Sequence, residues 1–369
     1  MTNVHTRDSN AIRIVRVLCI FFMTSVHLVP GPSNPSFISQ GSGEIIGDIW
    51  LSFLGRASVA TLSLISGFLL VGALEKYSVA HIIRDRARVL LIPAATWNLL
   101  MLVALLGFTT MGASVNRALP PLTPLGMTDA ITGLFGPSIN LSLFFLRDLF
   151  VSSALLVLLW RCIRSHLALA LAAVFVLTVF ELTAPIIFRP TILLFMLMGC
   201  ALRAKRFPLS SFAVPKTVIC GLLCSGAVWL GGSFIGVHDG PGAEILNIAK
   251  RTMLVFAMIA FSVALGRSKA VQAFFDRLEP VAYLAYLSHV MLSKLIWIAM
   301  SAAGLTLTEP SYLFYFFAAP VIIFAMALPL QRLINALPGC LPTLLKGKPA
   351  PKFAQPATAQ RIRNATNSK

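Results

Sequence analysis

Residues 11–29, AIRIVRVLCIFFMTSVHLV, read as one apolar helix interrupted by three ionisable side chains, Arg13, Arg16 and His27. At about 1.5 Å of rise per residue a stretch of this length approaches the ~30 Å of hydrocarbon in a bilayer. Ionisable groups inside a span are costly to bury, so each is a functional candidate by default. Arg16 and His27 are eleven residues apart, about 16 Å along one helix. Arg16 can therefore serve the membrane face where the chain starts while His27 works deeper in.

The same kind of segment recurs along the chain. Apolar runs long enough to span lie near 11–29, 49–74, 89–111, 143–161, 166–184, 187–203, 214–236, 250–267, 280–301 and 311–335. The expected fold is therefore all-α, a polytopic membrane bundle of about ten helices. A chain that is 57% hydrophobic and 12% charged, with a mean hydropathy of +0.84, is not an ordinary soluble domain. Its net charge of +17 would point to nucleic acid in a soluble protein. Here the charge follows topology. With the N-terminus inside, 23 of the 30 Lys and Arg fall on the cytoplasmic segments and 7 on the outer ones, the pattern of an N-in, C-in protein. No nucleic-acid partner is expected, and membrane lipids are.

Residues 1–336 form the expected membrane domain, and the Pro/Lys/Ala-rich residues 337–369 a basic cytoplasmic tail too polar to bury a core. The connections 30–48 and 112–142 are long enough to cap or gate a site but too short for independent domains. The first span, following a basic start without a convincing small-x-small cleavage site, reads as a retained signal anchor. Six scattered cysteines form no C-x-x-C pair, so neither a disulfide framework nor a metal site is indicated. There is no internal repeat and no Gly-rich phosphate loop, so any chemistry must be built from the helices themselves.

His27 leads the candidates, because a neutral imidazole accepts a proton from a hydroxyl near physiological pH. The bland alternative is a structural histidine bonded to a neighbouring helix, and for Arg16 an anchor that snorkels to headgroups. Arg84, Arg86 and Arg88 precede the third span on the cytoplasmic side, where guanidinium forks can grip a phosphate-bearing donor or simply face lipid headgroups. Arg56, Ser66, Arg147, Asp148, Glu181, Arg189 and His289 make a polar set in the other half. Arg56 and His289 are expected to face the bundle interior, Glu181 is a candidate partner for Arg189 or Arg147, and Gly67 is expected at a close helix contact.

Taken together, these elements resemble the acyltransferase-3 family of integral-membrane sugar and glycan O-acyltransferases. Arg16-x10-His27 is similar to the family's basic-x10-His motif, and Arg56 to Leu70, with Ser66-Gly67-Phe68-Leu69-Leu70, looks like its second helix. Arg84 to Pro93 resembles the Arg-rich entry to its third helix, Phe144 to Leu149 its Trp-Phe-Leu-Arg-Asp-Leu segment, and Tyr283 to His289 its late Tyr-Leu-x-His helix. Arg13 stands where many members carry Asp, and Phe144 where Trp is usual.

The resemblance implies transfer of an acyl group, chiefly acetyl, from cytosolic acetyl-CoA or another acyl-CoA to a hydroxyl of a cell-envelope or secreted glycan, free or lipid-linked. The expected setting is the bacterial inner membrane, near proteins of envelope-polysaccharide assembly. His27 is expected to take the hydroxyl proton, and Arg16, Arg84, Arg86 and Arg88 to hold the CoA phosphates. Arg147 and Asp148 are expected to take part in catalysis by stabilising the oxyanion or positioning the acceptor, and Arg56, Ser66 and His289 to contact the acceptor. The rival readings are a transporter or flippase of a sugar or anionic substrate, since interior Arg, Glu and His also serve transport, and a scaffold in which His27 is dispensable.

Overall fold

The computed structural model describes residues 2–28, 50–110, 119–136, 138–212, 215–236, 239–304 and 309–349, and every structural statement below concerns these residues. The connection at 30–48, the start of the 112–142 connection and the tail beyond 349 lie outside them. The helices are α1 (Thr2–Val26), α2 (Arg56–Leu74), α3 (Val79–Arg86), α4 (Ile92–Thr110), α5 (Pro124–Thr132), α6 (Phe144–Ile163), α7 (Leu167–Val179), α8 (Pro190–Ala204), α9 (Pro215–Ile235), α10 (Gly240–Leu265), α11 (Lys269–Ala302), α12 (Glu309–Ala336) and α13 (Leu341–Lys346). No strand is present among the described residues, so the chain is an all-α polytopic bundle.

Eight helical stretches are long and apolar enough to cross a bilayer, and α7 and α8 are shorter apolar helices standing where two further spans were expected. At ~1.5 Å per residue those two are about 20 Å long, less than the hydrocarbon thickness. For α8 the shortness has a packing context, because Pro190 begins it and ten of its fifteen residues are buried.

The α2–α8 contact organises the centre of the bundle. A Cβ placed on Gly67 would stand 1.9 Å from the carbonyl oxygen of Met196, and one on Gly199 would stand 1.9 Å from that of Leu64. The Cys200 thiol donates to the Gly67 carbonyl at 3.3 Å. Without a hydrophobic driving force between spans, such backbone-to-backbone approach through small residues supplies the association energy. The expectation for Gly67 holds, and Gly199 is its reciprocal partner.

Polar residues inside the helices satisfy themselves locally. Thr61 donates to Ala57 O at 2.8 Å, Ser63 to Val59 O at 2.8 Å and Ser288 to Leu284 O at 2.8 Å. Backbone and side-chain polar groups must be paired where no water reaches, and the i−4 carbonyl is the nearest acceptor. Between α3 and α4, residues Ala87–Leu91 widen into a π-helical turn. The turn displaces the ladder by one residue and makes the Val89 carbonyl available to Tyr283, whose hydroxyl donates to it at 2.6 Å.

The tail differs from expectation at its start. Helix α13 docks on α4, where Trp97 Nε1 donates to the Leu345 carbonyl at 2.9 Å. Gly347, at φ +71°, follows so closely that a Cβ there would lie 2.9 Å from Val89 Cα. A few apolar residues, Leu341 to Leu345, were enough to dock a segment whose composition read as tail. Gly347→Ala is expected to loosen this seat, seen as faster amide exchange across 341–349; unchanged exchange would show that the contact does not hold the segment.

Candidate active site

The site begins where α1 meets α11. Arg13 Nη1 reaches Asp276 Oδ1 at 2.7 Å and Arg16 Nη1 reaches Glu279 Oε1 at 3.0 Å. Both pairs repeat at a spacing of three residues, so one face of each helix carries the ladder. Each side chain is about a third or more exposed, so these surface-type pairs set register more than they stabilise. Glu279 was not among the sequence candidates. Its signal was the three-residue spacing with Asp276 that mirrors Arg13 and Arg16.

Above that ladder, Arg16, Ser66, Arg86, Glu279, Tyr283 and Tyr286 line a cavity of about 520 Å³. Lys346, Lys348 and Gln331 also line it, while Met23, Phe145, Leu146 and Leu149 supply apolar wall. Arg86 donates to Ser66 Oγ at 2.8 Å, tying the start of the third span to the middle of α2. The volume lies within the ~300–1,000 Å³ common for small-molecule sites. Of the three arginines singled out before the third span, only Arg86 reaches this cavity; Arg84 and Arg88 are exposed. At about 100° per residue Arg84 and Arg88, four apart, share one face of the helix and Arg86 points to the opposite one, so only Arg86 looks inward. The two lysines that join it instead come from the docked tail, which no spacing in the sequence announced. Burial and the neighbouring Lys348 hold the Lys346 ammonium below its ordinary pKa.

A column of rings leads from this cavity to His27. Tyr283 and Tyr286 stack with centroids 6.5 Å apart, Tyr286 and His289 at 5.6 Å, and His289 meets His27 at 5.7 Å. Tyr283, Tyr286 and His289 share one face of α11 through their three-residue spacing. The Tyr286 hydroxyl donates to Ser142 O at 2.6 Å, which pins the ring to the turn preceding α6. His27 follows the last residue of α1 and is half-buried, whereas His289 is fully buried, as expected. His289 Nδ1 bonds the Tyr286 carbonyl. A carbonyl only accepts, so Nδ1 carries the hydrogen and Nε2 presents its lone pair. That Nε2 is buried with no hydrogen-bond partner among the described residues. It is a proton acceptor held in place and unused.

Arg147 and Asp148 are placed differently from expectation. Arg147 Nη1 bonds Asp148 Oδ1 at 2.7 Å and donates to Ile186 O at 2.8 Å, while Nη2 donates to Leu134 O at 3.1 Å and Pro185 O at 3.2 Å. The guanidinium also lies 4.4 Å from the Phe188 ring centroid, and Asp148 Oδ2 accepts from the Arg189 amide at 2.8 Å. Nearly all their hydrogen-bonding capacity holds the segments at 134 and 185–189 onto α6. Arg147 therefore pairs with Asp148 and not with Glu181, which is exposed. Arg56 is corrected too. It opens α2 and is exposed, near enough to the helix end to reach out of the apolar interior.

No group of three or more His, Cys, Asp or Glu that would hold a metal is gathered among the described residues.

This arrangement, a multi-pass helical bundle with a basic cavity at one end and paired imidazoles further in, defines a membrane protein with an interior polar site. The model of the acyltransferase-3 family, described as an acyltransferase domain, matches residues 9–329, and the chain belongs to that family. It is a membrane acyltransferase. It is also 27% identical over 359 residues, covering 92% of each chain, to the succinoglycan biosynthesis protein ExoH of Rhizobium meliloti (strain 1021). No solved structure matches it.

Proposed function

We propose that the protein moves an acetyl group from cytosolic acetyl-CoA to a hydroxyl of a cell-envelope or secreted glycan, free or lipid-linked, across the bacterial inner membrane. The column of rings joining the basic cavity to His27 carries this reading. A glycan acceptor is supported by the relative whose name places it in the biosynthesis of succinoglycan. A cytosolic donor is supported by the charge asymmetry of the sequence, which puts the Arg16 end inside.

In this mechanism Arg86, Lys346 and Lys348 hold the CoA phosphates, with Arg16 steadied by Glu279 at the rim. The pantetheine arm runs past Tyr283 and Tyr286, and the thioester meets the acceptor beside His27. His27 removes the hydroxyl proton as the oxygen attacks the thioester carbonyl carbon. The C–S bond then breaks, the ester forms, and the thiolate takes the proton from the imidazolium to leave as CoA. His289, with its hydrogen on Nδ1, shares through Nε2 the proton that His27 holds until the thiolate takes it, so the pair carries a single charge in between. The apolar wall of Met23, Phe145, Leu146 and Leu149 offers the methyl of an acetyl group a surface to pack on. Arg147 and Asp148 position the loops around the acceptor.

Purified protein given labelled acetyl-CoA or succinyl-CoA and envelope glycan fractions tests the reading; label reaching glycan only from acetyl-CoA is expected, and no transfer from any acyl-CoA would refute it. Replacing both Lys346 and Lys348 with Gln is expected to raise the KM for acyl-CoA about tenfold or more, corresponding to ~1.4 kcal/mol of lost binding, with kcat nearly kept. An unchanged KM would remove the tail from the donor site.

A further inference from the structure

Lys250 lies in α10 with 5% of its surface exposed, and it makes no ion pair among the described residues. Its ammonium sits 5.8 Å from the centroid of the Phe53 ring. Burying an uncompensated ammonium is among the most costly placements available to a side chain, and in a membrane interior it marks a ligand or an ion path. The residue beside it, Arg251, has its Nε buried with no hydrogen-bond partner. Arg56 is an electrostatic neighbour of both, Arg189 is a neighbour of Arg251, and Glu244 is the one carboxylate that acts on Arg251. Four cations thus converge against one acid.

The cluster is separate from the donor cavity. Arg56 opens α2 and Ser66, which lines that cavity, is ten residues further along, about 15 Å away. None of the four cations borders the cavity. The surroundings are amphipathic: Phe53 packs edge-on against Trp229 at 5.7 Å, giving an apolar wall beside the charges. An excess of three positive charges is matched poorly by a single carboxylate and well by a phosphate monoester or diphosphate, which guanidinium forks grip bidentately.

We infer that Lys250, Arg251, Arg56 and Arg189 bind the phosphoryl headgroup of a lipid whose chain lies along Phe53 and Trp229. The site stands on this charge arrangement whether or not the bundle transfers acyl groups. Under the proposed topology it faces the outer leaflet, beside the end of the bundle that holds His27.

Native mass spectrometry of the delipidated full chain tests it with three probes: farnesyl diphosphate, farnesol and phosphatidylglycerol. Either phosphorylated probe is expected to bind while farnesol does not. Binding is expected to weaken at least about tenfold in the Arg56→Gln/Arg189→Gln double variant and in Lys250→Gln. Tighter binding of the diphosphate would mark an isoprenoid carrier as the source, and equal binding of phosphatidylglycerol would mark the bulk membrane. Farnesol binding as well as its diphosphate, or affinities unchanged in the double variant, would overturn the site. The double variant alters only exposed side chains, so it remains informative should Lys250→Gln fail to fold. No acyl donor is present, so loss of this site and loss of acyl transfer are read separately.

Discussion

His27→Ala is expected to lower acyl transfer about 10²–10⁴-fold, the range removed with a general base, while the protein still inserts and folds. His27 is half-buried at the end of α1, and its ring contact is with His289. The substitution therefore leaves the helix ladder and the Arg16–Glu279 register intact. Turnover of labelled acyl-CoA by purified protein, with the thermal midpoint measured on the same preparation, separates chemistry from folding. Retained turnover would remove His27 from the reaction. A collapsed midpoint would show instead that the imidazole is structural. The companion variant His289→Gln is expected to cost less, because its Nε2 acts on the proton after His27 has taken it. A loss equal to that of His27→Ala would mean the two rings work as one unit.

Gly67→Ala, like Gly199→Ala on the facing helix, is expected to cause one of the largest losses of stability that a single added methyl can produce in the bundle. The new Cβ would overlap the Met196 carbonyl at 1.9 Å, and the opposing atoms are backbone that no rotamer change can move. Ordinary overpacking costs ~1–3 kcal/mol, and here α2 and α8 must separate, so more than about 3 kcal/mol is expected. The comparison is Gly107→Ala in α4, where nothing lies within 4 Å of the added carbon. Thermal unfolding in detergent should show a large fall for Gly67→Ala and almost none for Gly107→Ala. Equal midpoints would mean that the close approach of α2 to α8 contributes little.

The fold class was legible because spanning a membrane imposes a length and an apolar composition on every helix, and both are local properties. The α2 motif was legible for a related reason: a glycine inside an apolar helix has few uses besides close packing. Arg86 was legible only as one of three arginines. Which of them turns inward depends on the helical phase across the π-turn at 87–91, which no local pattern announces. Arg56 read as interior because the apolar run around it is continuous. The structure begins α2 at that residue, and six residues of π-helix before it carry the chain toward the helix end.

Arg147 and Asp148 show the same limit from another side. Two adjacent opposite charges beside a span are equally compatible with chemistry and with scaffolding. Only the carbonyls of Leu134, Pro185 and Ile186, up to 39 residues away, show where the guanidinium is engaged. The lysines of the tail are the extreme case, since residues 346 and 348 meet Arg16 and Ser66 across almost the whole chain.

What the sequence by itself determined is the all-α membrane bundle, the pairing of Arg16 with His27 on one helix, and the family to which these motifs belong. Each follows from composition, length or short spacing, quantities that a linear chain carries without folding. What only the tertiary structure decided is which ionisable groups share a space: His289 against His27, Glu279 against Arg16, the tail lysines against Arg86, and Lys250 among three arginines. These meetings join helices distant in the chain, and their distances depend on how the bundle packs.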